Sequence, residues 1–420
     1  MKDRDPVTGG LPGLRRPLSR RKALRTLGGA SLLVPAAPYI VRRAFAADQP
    51  MGPGGIPLAR PDKPVTLPLY EDAIKSEMAP ETGGDFIVYV YADYIDKGLV
   101  TAFCKAHGVN MQLTTYDSQD EAITKQATHA VRPDVVNITP DRLAQAVAGK
   151  LIKPINHDYI PNLKGYVWDS LQSPFYDVGS RFTVPYTIYK TGIGWRTDKV
   201  KEDIAKLDNP WSIFWNAKAY TGYVGVLDDA RESLTMAMLY RQFYDINTEE
   251  PNQINRAEKD LSQLTSIANV KVNVNDYTDI PSGATYISQA WSGDMATASQ
   301  YLPKGVPPSV LGYWRPETKA ETQNDMITIL REAKHPVLAH TFLNFLLDNQ
   351  IGLENVAWNG YMPPLTSVTP ATVVAHGYIP ENLTSTIVRE ADFKKGVTID
   401  ALTTTGESLW ENAWSNFKAG

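Results

Sequence analysis

From Asp85 onward the chain alternates short β-rich apolar runs with helical patterns, and this alternation leaves few architectures open. Phe86 to Tyr91 reads as a buried strand and Lys97 to His107 as the helix that follows it. Asn110 to Tyr116 and Gln119 to His129 repeat the unit, as do Asp134 to Ile138 and Asp141 to Gly149. Strands that return through helices pair in parallel, so this half predicts an α/β domain with a largely parallel sheet. Val184 to Trp195 breaks the rhythm. It is β-rich with no helix directly after it, and it reads as a strand crossing between two lobes. A second series then begins, with strands at Tyr223 to Leu227 and Tyr286 to Ala290 and helices at Arg231 to Tyr244 and Pro251 to Ile267. Gly312 to Pro316 offers a return crossing, before a strand at Met326 to Leu330 and a helix at His335 to Leu347. The pattern predicts one lobe over 85–190 plus 317–370 and another over 191–316 plus 371–420. Residues 47–84 hold Pro50, Pro53, Pro57, Pro61, Pro64 and Pro68 without periodicity, which predicts an extended arm, either laid on the surface or free.

In open α/β sheets, ligands bind outside the carboxyl ends of the strands. That rule gathers Tyr91-Ala92-Asp93-Tyr94, Thr139, Asp228-Asp229, Trp291-Ser292-Gly293-Asp294 and the Gln323-Asn324-Asp325 turn around one cleft. Carboxylates beside an indole suit an organic cation, because only an opposing charge or a π-face offsets the hydration an ammonium loses on burial. Structural roles compete for the same residues. Asp229 and Glu232 lie three apart and can form a helix cap and capping box, Asp294 can cap the next helix, and Tyr361 fits a cleft rim or a core equally well. Catalysis finds little support: there is no Gly-x-Ser-x-Gly, His-Glu-x-x-His or phosphate-binding glycine loop. The six histidines are scattered, and His335 and His340 lie five apart, on different helix faces. No catalytic residue, metal site or cofactor is expected.

Ser19-Arg20-Arg21-Lys22-Ala23-Leu24-Arg25, an apolar run from Leu27 to Val41 and Ala44-Phe45-Ala46-Ala47 together read as a twin-arginine export signal cleaved near Ala46. The run holds Pro35 and Pro38 and falls short of the roughly 18 to 20 residues a membrane span needs. Removing residues 1–46 takes ten basic and two acidic residues from the 42 and 46 of the full chain, leaving 32 and 44 and a net charge of −12. That balance disfavours nucleic acid and anionic membranes as partners. Cys104 is the only cysteine, so no intramolecular disulfide can form, and its apolar setting predicts a buried small hydrophobe. A periplasmic, monomeric protein is expected.

Motifs that arrive in a fixed order give the chain a family likeness. They are Tyr91-Ala92-Asp93-Tyr94-Ile95, Tyr116-Asp117-Ser118, Ile160-Pro161-Asn162-Leu163, Val184-Pro185-Tyr186, Thr191-Gly192-Ile193-Gly194, Asp228-Asp229-Ala230-Arg231-Glu232, Trp291-Ser292-Gly293-Asp294 and Gly360-Tyr361-Met362-Pro363-Pro364. From Asp85 onward the sequence resembles the periplasmic spermidine/putrescine-binding proteins of ABC importers. The resemblance implies a two-lobe periplasmic binding protein fold of type II, each lobe a mixed, mainly parallel sheet flanked by helices and joined by crossing hinge strands. It implies capture of a polyamine-like cation between the lobes and delivery to an inner-membrane ABC permease. Asp93 would accept from an ammonium, Tyr91 and Tyr94 would line the apolar stem, and Thr139 would border the ligand. Asp229 and Glu232 would hold the far end, Trp291 would form a wall, and Asp294 and Asp325 would add carboxylates, with Tyr361 at the rim. The chain departs from the family at Tyr91, where an indole is usual, at Gln323, where a second aromatic is frequent, and at Pro140-Asp141, where a Tyr or Phe often stands. Another amine, an amino-acid derivative or an opine therefore stays open as the ligand. A secreted enzyme and a ferric-iron binder are more distant alternatives.

Overall fold

A computed structural model of the chain describes residues 49–319 and 321–420. The export segment and its cleavage site near Ala46 lie outside the described residues. The first half follows the expected units closely. Strands β1 (Asp85–Tyr91), β2 (Asn110–Tyr116) and β3 (Val135–Ile138) alternate with helices Lys97–Ala106, Gln119–Ala127 and Pro140–Ala148. Each helix starts where a polar residue ends the apolar run. Asp96 and Ser118 cap the first two through their side chains, whereas Thr139 occupies the third cap position without a capping hydrogen bond. β1 pairs in parallel with both β2 and β3.

The crossing strand β4 (Thr183–Arg196) is long, and its pairing changes along its length. Thr183 to Lys190 pairs antiparallel with β9 (Thr322–Ile329). Thr191 to Arg196 pairs antiparallel with β7 (Ile287–Trp291) and β8 (Leu311–Trp314). Beyond β7 lie β5 (Val224–Leu227) and β6 (Lys271–Asn273), both parallel, giving the order β2-β1-β3-β9-β4-β7-β5-β6 with β8 on β4. The sheet is therefore mixed. Its two flanks are parallel, as the βα alternation implies, and its centre is antiparallel because β4 pairs antiparallel with β9 along its first half and with β7 along its second.

β9 begins four residues before the strand expected at Met326 to Leu330, and the stretch Gln323 to Asp325, expected as a turn, is strand. Thr322, Gln323, Asn324 and Asp325 are all buried, so a polar segment that reads as a turn is held in the sheet by pairing with β4. The expected elements did not include β6 or the helices Asp276–Ser282, Asn349–Asn359, Pro370–Ala375 and Thr404–Ala419.

Two large apolar cores flank the crossing strands. One gathers Phe86, Phe103 and Phe342, whose rings meet edge-on or tilted at 5.0 to 6.0 Å, and includes the buried Cys104, whose thiol burial pushes up to about 11. The other is built on Phe214, Leu234, Leu261 and Trp410. The arm is laid down, not free. Ile56, Val65 and Leu67 pack on Leu143, Ile152 and Phe182, and Val65 exchanges backbone hydrogen bonds with Phe175 and Val178. Among the described residues no helix is long and apolar enough to cross a membrane.

Candidate functional site

The ends of β1, β3, β5, β7 and β9 converge on a cleft of about 1280 Å³, part of it open to solvent. Nine carboxylates line it against two guanidiniums, so its field is negative. Both guanidiniums are already engaged. Arg142 meets Glu407, Asp120 and Asp141 at 3.0, 3.2 and 3.5 Å, while Arg231 lies over the Trp410 ring at 4.5 Å and donates to Asn247 Oδ1 at 2.6 Å. Among the described residues, Asp229, Glu232, Asp294 and Asp325 form no ion pair. Helix N-termini that open on the cleft would by themselves favour an anion. Here Asp141, Glu232 and Asp294 occupy first turns and Asp229 a cap, so each positive end already faces a carboxylate.

On one wall, Asp325 stands on β9 opposite Thr187 of β4. Its Oδ2 accepts from the Tyr94 hydroxyl at 2.7 Å and from Asn137 Nδ2 at 3.3 Å, while its Oδ1 is buried without a partner. The Tyr94 hydroxyl also meets Thr187 Oγ1. Rings surround the carboxylate. Tyr94 makes edge contacts with Tyr91 at 5.8 Å, Tyr186 at 5.4 Å and Tyr361 at 5.2 Å, and Tyr189 meets Tyr361 at 5.8 Å. Burial pushes the Asp325 carboxyl up to about 7. Thr139 also lines this wall, its hydroxyl buried and unpartnered.

On the facing wall, Asp229 caps the helix Ala230–Tyr240 by accepting from the Glu232 backbone N–H at 3.0 Å. The expected capping box stays half made. Glu232 turns away from the cap and its Oε1 accepts from Trp291 Nε1 at 2.9 Å. Trp291, half-buried, is thereby fixed as a wall of the cleft. Asp294 does not act as a cap. It lies in the first turn of the helix Ser292–Thr297 and its Oδ1 accepts from the Tyr361 hydroxyl at 2.6 Å. Tyr361 is thus both 8% exposed and part of the cleft. A Cβ on Gly293 would fall 2.2 Å from that ring, and Gly360, at φ 75°, would drive a Cβ to 2.2 Å from the Gly293 carbonyl.

A second buried carboxyl stands behind two of these. Glu321 backs Glu232 and Asp276 backs Asp294, each 2% exposed. Burial first, then the neighbouring negative charge, holds Glu321 and Asp276 well above the usual carboxylate range. Burial likewise pushes Glu232 up to about 7 and Asp294 up to about 6.

Tyr91, Tyr94, Thr139, Asp229, Glu232, Trp291, Asp294, Asp325 and Tyr361 are therefore brought together around one cleft. Asp93 is not among the residues lining it. Its backbone is left-handed at φ 53°, and its carbonyl accepts from Trp358 Nε1 at 3.0 Å. Gln119, Tyr189 and Tyr277 line the cleft without having been singled out from the sequence. Gln119 follows the cap Ser118 directly, and that position was its only signal.

The sequence model of the bacterial extracellular solute-binding protein family matches residues 98–380. The chain is similar to the spermidine/putrescine-binding periplasmic protein 1 of Haemophilus influenzae, with 24% identity over 276 residues that cover 65% of this chain and 73% of that protein. Its fold is similar to that of the spermidine/putrescine ABC transporter substrate-binding protein PotD of Streptococcus pneumoniae, with a TM-score of 0.62 and 20% identity over 80% of this chain and 99% of that one. A binding protein of A. tumefaciens solved with glucopine, MotA, aligns with a TM-score of 0.59 and 16% identity over 80% of this chain and 99% of that one. The fold is that of a two-lobe periplasmic binding protein of type II.

Proposed function

Since the chain belongs to the bacterial extracellular solute-binding protein family, we propose that it captures a polyamine-like cation of the putrescine or spermidine class and hands it to an ABC permease. The observation that carries this reading is the set of four cleft carboxylates, Asp229, Glu232, Asp294 and Asp325, that have no cationic partner among the described residues and stand against tyrosine and tryptophan faces. A linear cation charged at both ends supplies what each wall lacks: an ammonium for the carboxylates and an alkyl stem for the rings. The curated relative named for spermidine and putrescine supports the same ligand class.

In this reading the lobes are 85–190 with 317–370 and 191–316 with 371–420, and they close about β4 and β9. Asp325 belongs to one lobe, and Asp229, Glu232 and Asp294 to the other, so closure brings opposing carboxylates onto the two ends of the ligand. The protein acts in the periplasm as a monomer after export through the twin-arginine route, and it catalyses no reaction. Another amine, an amino-acid derivative or an opine is the second reading. It is favoured by Gln323 and Thr139, which give the cleft a polar stretch where an aromatic channel is expected.

Thermal unfolding of the mature protein against putrescine, cadaverine, spermidine, spermine, basic amino acids, opines and ferric iron tests this. A ligand at a hundred times its dissociation constant adds about 2.7 kcal/mol, enough to raise the midpoint by a few degrees. A rise with a polyamine is expected. A rise with opines alone would shift the function to the second reading.

A further inference from the structure

We propose that Gln119 is a specificity residue that makes the Asp325 end of the cleft select a primary over an alkylated ammonium group. The proposal rests on the polyamine reading and deepens it by specifying the chemistry of one end of the ligand.

Gln119 is 9% exposed and lines the cleft. Its amide orientation is fixed, because Nε2 donates to the Tyr116 hydroxyl at 3.0 Å and to Asn137 Oδ1 at 2.9 Å. Its Oε1 is therefore presented as an acceptor, buried and without a hydrogen-bond partner. Asn137 in turn donates to Asp325 Oδ2 at 3.3 Å. Gln119, Asn137 and Asp325 thus form one continuous chain, with the outer lone pairs of its two ends, Gln119 Oε1 and Asp325 Oδ1, left over. Thr139 lies two residues beyond Asn137, at the end of β3, and its buried Oγ1 is also unpartnered, although it holds a helix cap position where it could have accepted from the backbone.

Three oxygens of three cleft residues, two of them joined through Asn137 and the third two residues beyond it, are thus without donors, and only one of them carries a formal charge. A primary ammonium carries three N–H donors and one charge. A secondary ammonium brings two donors and leaves one buried acceptor unpaired, and a quaternary one brings none. The cost of an unpaired buried acceptor makes this set selective against alkylated amines in a way that Asp325 alone, as a point charge, is not.

The test is calorimetric titration at pH 8 with 1,4-diaminobutane and its N,N′-dimethyl derivative, on the wild type and on Gln119→Met, which keeps size and removes the acceptor together with the two Nε2 hydrogen bonds, so the readout is the difference between the two diamines and not the loss for either one. The wild type is expected to prefer the primary diamine by about tenfold or more. Gln119→Met is expected to lose about tenfold for the primary diamine and much less for the dimethyl derivative, so the preference shrinks. Thr139→Val is expected to act in the same direction. Equal binding of both diamines by the wild type, or an equal loss for both in Gln119→Met, would overturn the proposal while leaving the polyamine reading in place. Binding of neither diamine would overturn the proposal, and the unfolding series with spermidine and spermine then decides the polyamine reading by itself. Should Gln119→Met fail to fold, Thr139→Val carries the same comparison, and an equal loss for both diamines there would overturn the proposal.

Discussion

Asp325 is held by two donors on one oxygen and left open on the other, inside a ring of tyrosines. Removing its charge while keeping its shape takes away the partner of an ammonium that has already lost its water. Asp325→Asn is therefore expected to weaken binding by about 2 kcal/mol or more, read by calorimetry, and unchanged affinity would remove Asp325 from the site. Gly293 serves the site differently. Its missing side chain is what lets the Tyr361 ring reach Asp294, so Gly293→Ala is expected to cost about 1–3 kcal/mol in chemical denaturation and to weaken ligand binding as the ring is displaced. A variant as stable as the wild type would show that the ring moves without cost. At this scale the sequence was most informative where a charged residue falls at a strand end. Asp229 and Asp294 were legible for that reason, whereas Asp325, which stands inside β9, was singled out through the family likeness. Asp93 looked equivalent, yet the left-handed turn at its own position leaves it off the cleft lining. Gln119 was not legible, because only the tertiary chain through Asn137 gives its amide a direction.

The elements that follow local rules were legible with few errors. The strands β1, β2 and β3 alternate with capped helices because apolar runs end at Asp96, Ser118 and Thr139. The polar half of β9 was not legible. Thr322 to Asp325 lack the apolar character of a buried strand, and they are strand because β4 pairs with them on one side and they carry the cleft chemistry. The arm was legible only as Pro- and Gly-rich. Its apolar residues are too few and too irregular to show a period, but Ile56, Val65 and Leu67 complete a core with Leu143 and Phe182. Leu67, 1% exposed, is expected to cost about 2–5 kcal/mol on Leu67→Ala, measured as a lowered denaturation midpoint. A change within about 0.5 kcal/mol would mean that the arm is not part of the folded core.

Across the whole molecule, the cleft collects negative charge at a price. Asp325 and Glu232 are pushed up to about 7 and Asp294 to about 6 by burial, so each resists ionising until a cation arrives. A bound ammonium favours the ionised forms and lowers those values, so binding releases protons. The sign follows directly: below about pH 6 the carboxyls are protonated and must give up protons for the ligand to bind, whereas above about 7 they are ready. An alkyl diamine, which titrates near 10, keeps its charge across this range. The most direct measurement is calorimetric titration of the wild-type protein with 1,4-diaminobutane at pH 5.5 and at pH 8. Affinity is predicted to be about tenfold or more tighter at pH 8. Equal affinity at the two pH values would contradict a cleft that holds its ligand through buried carboxylates.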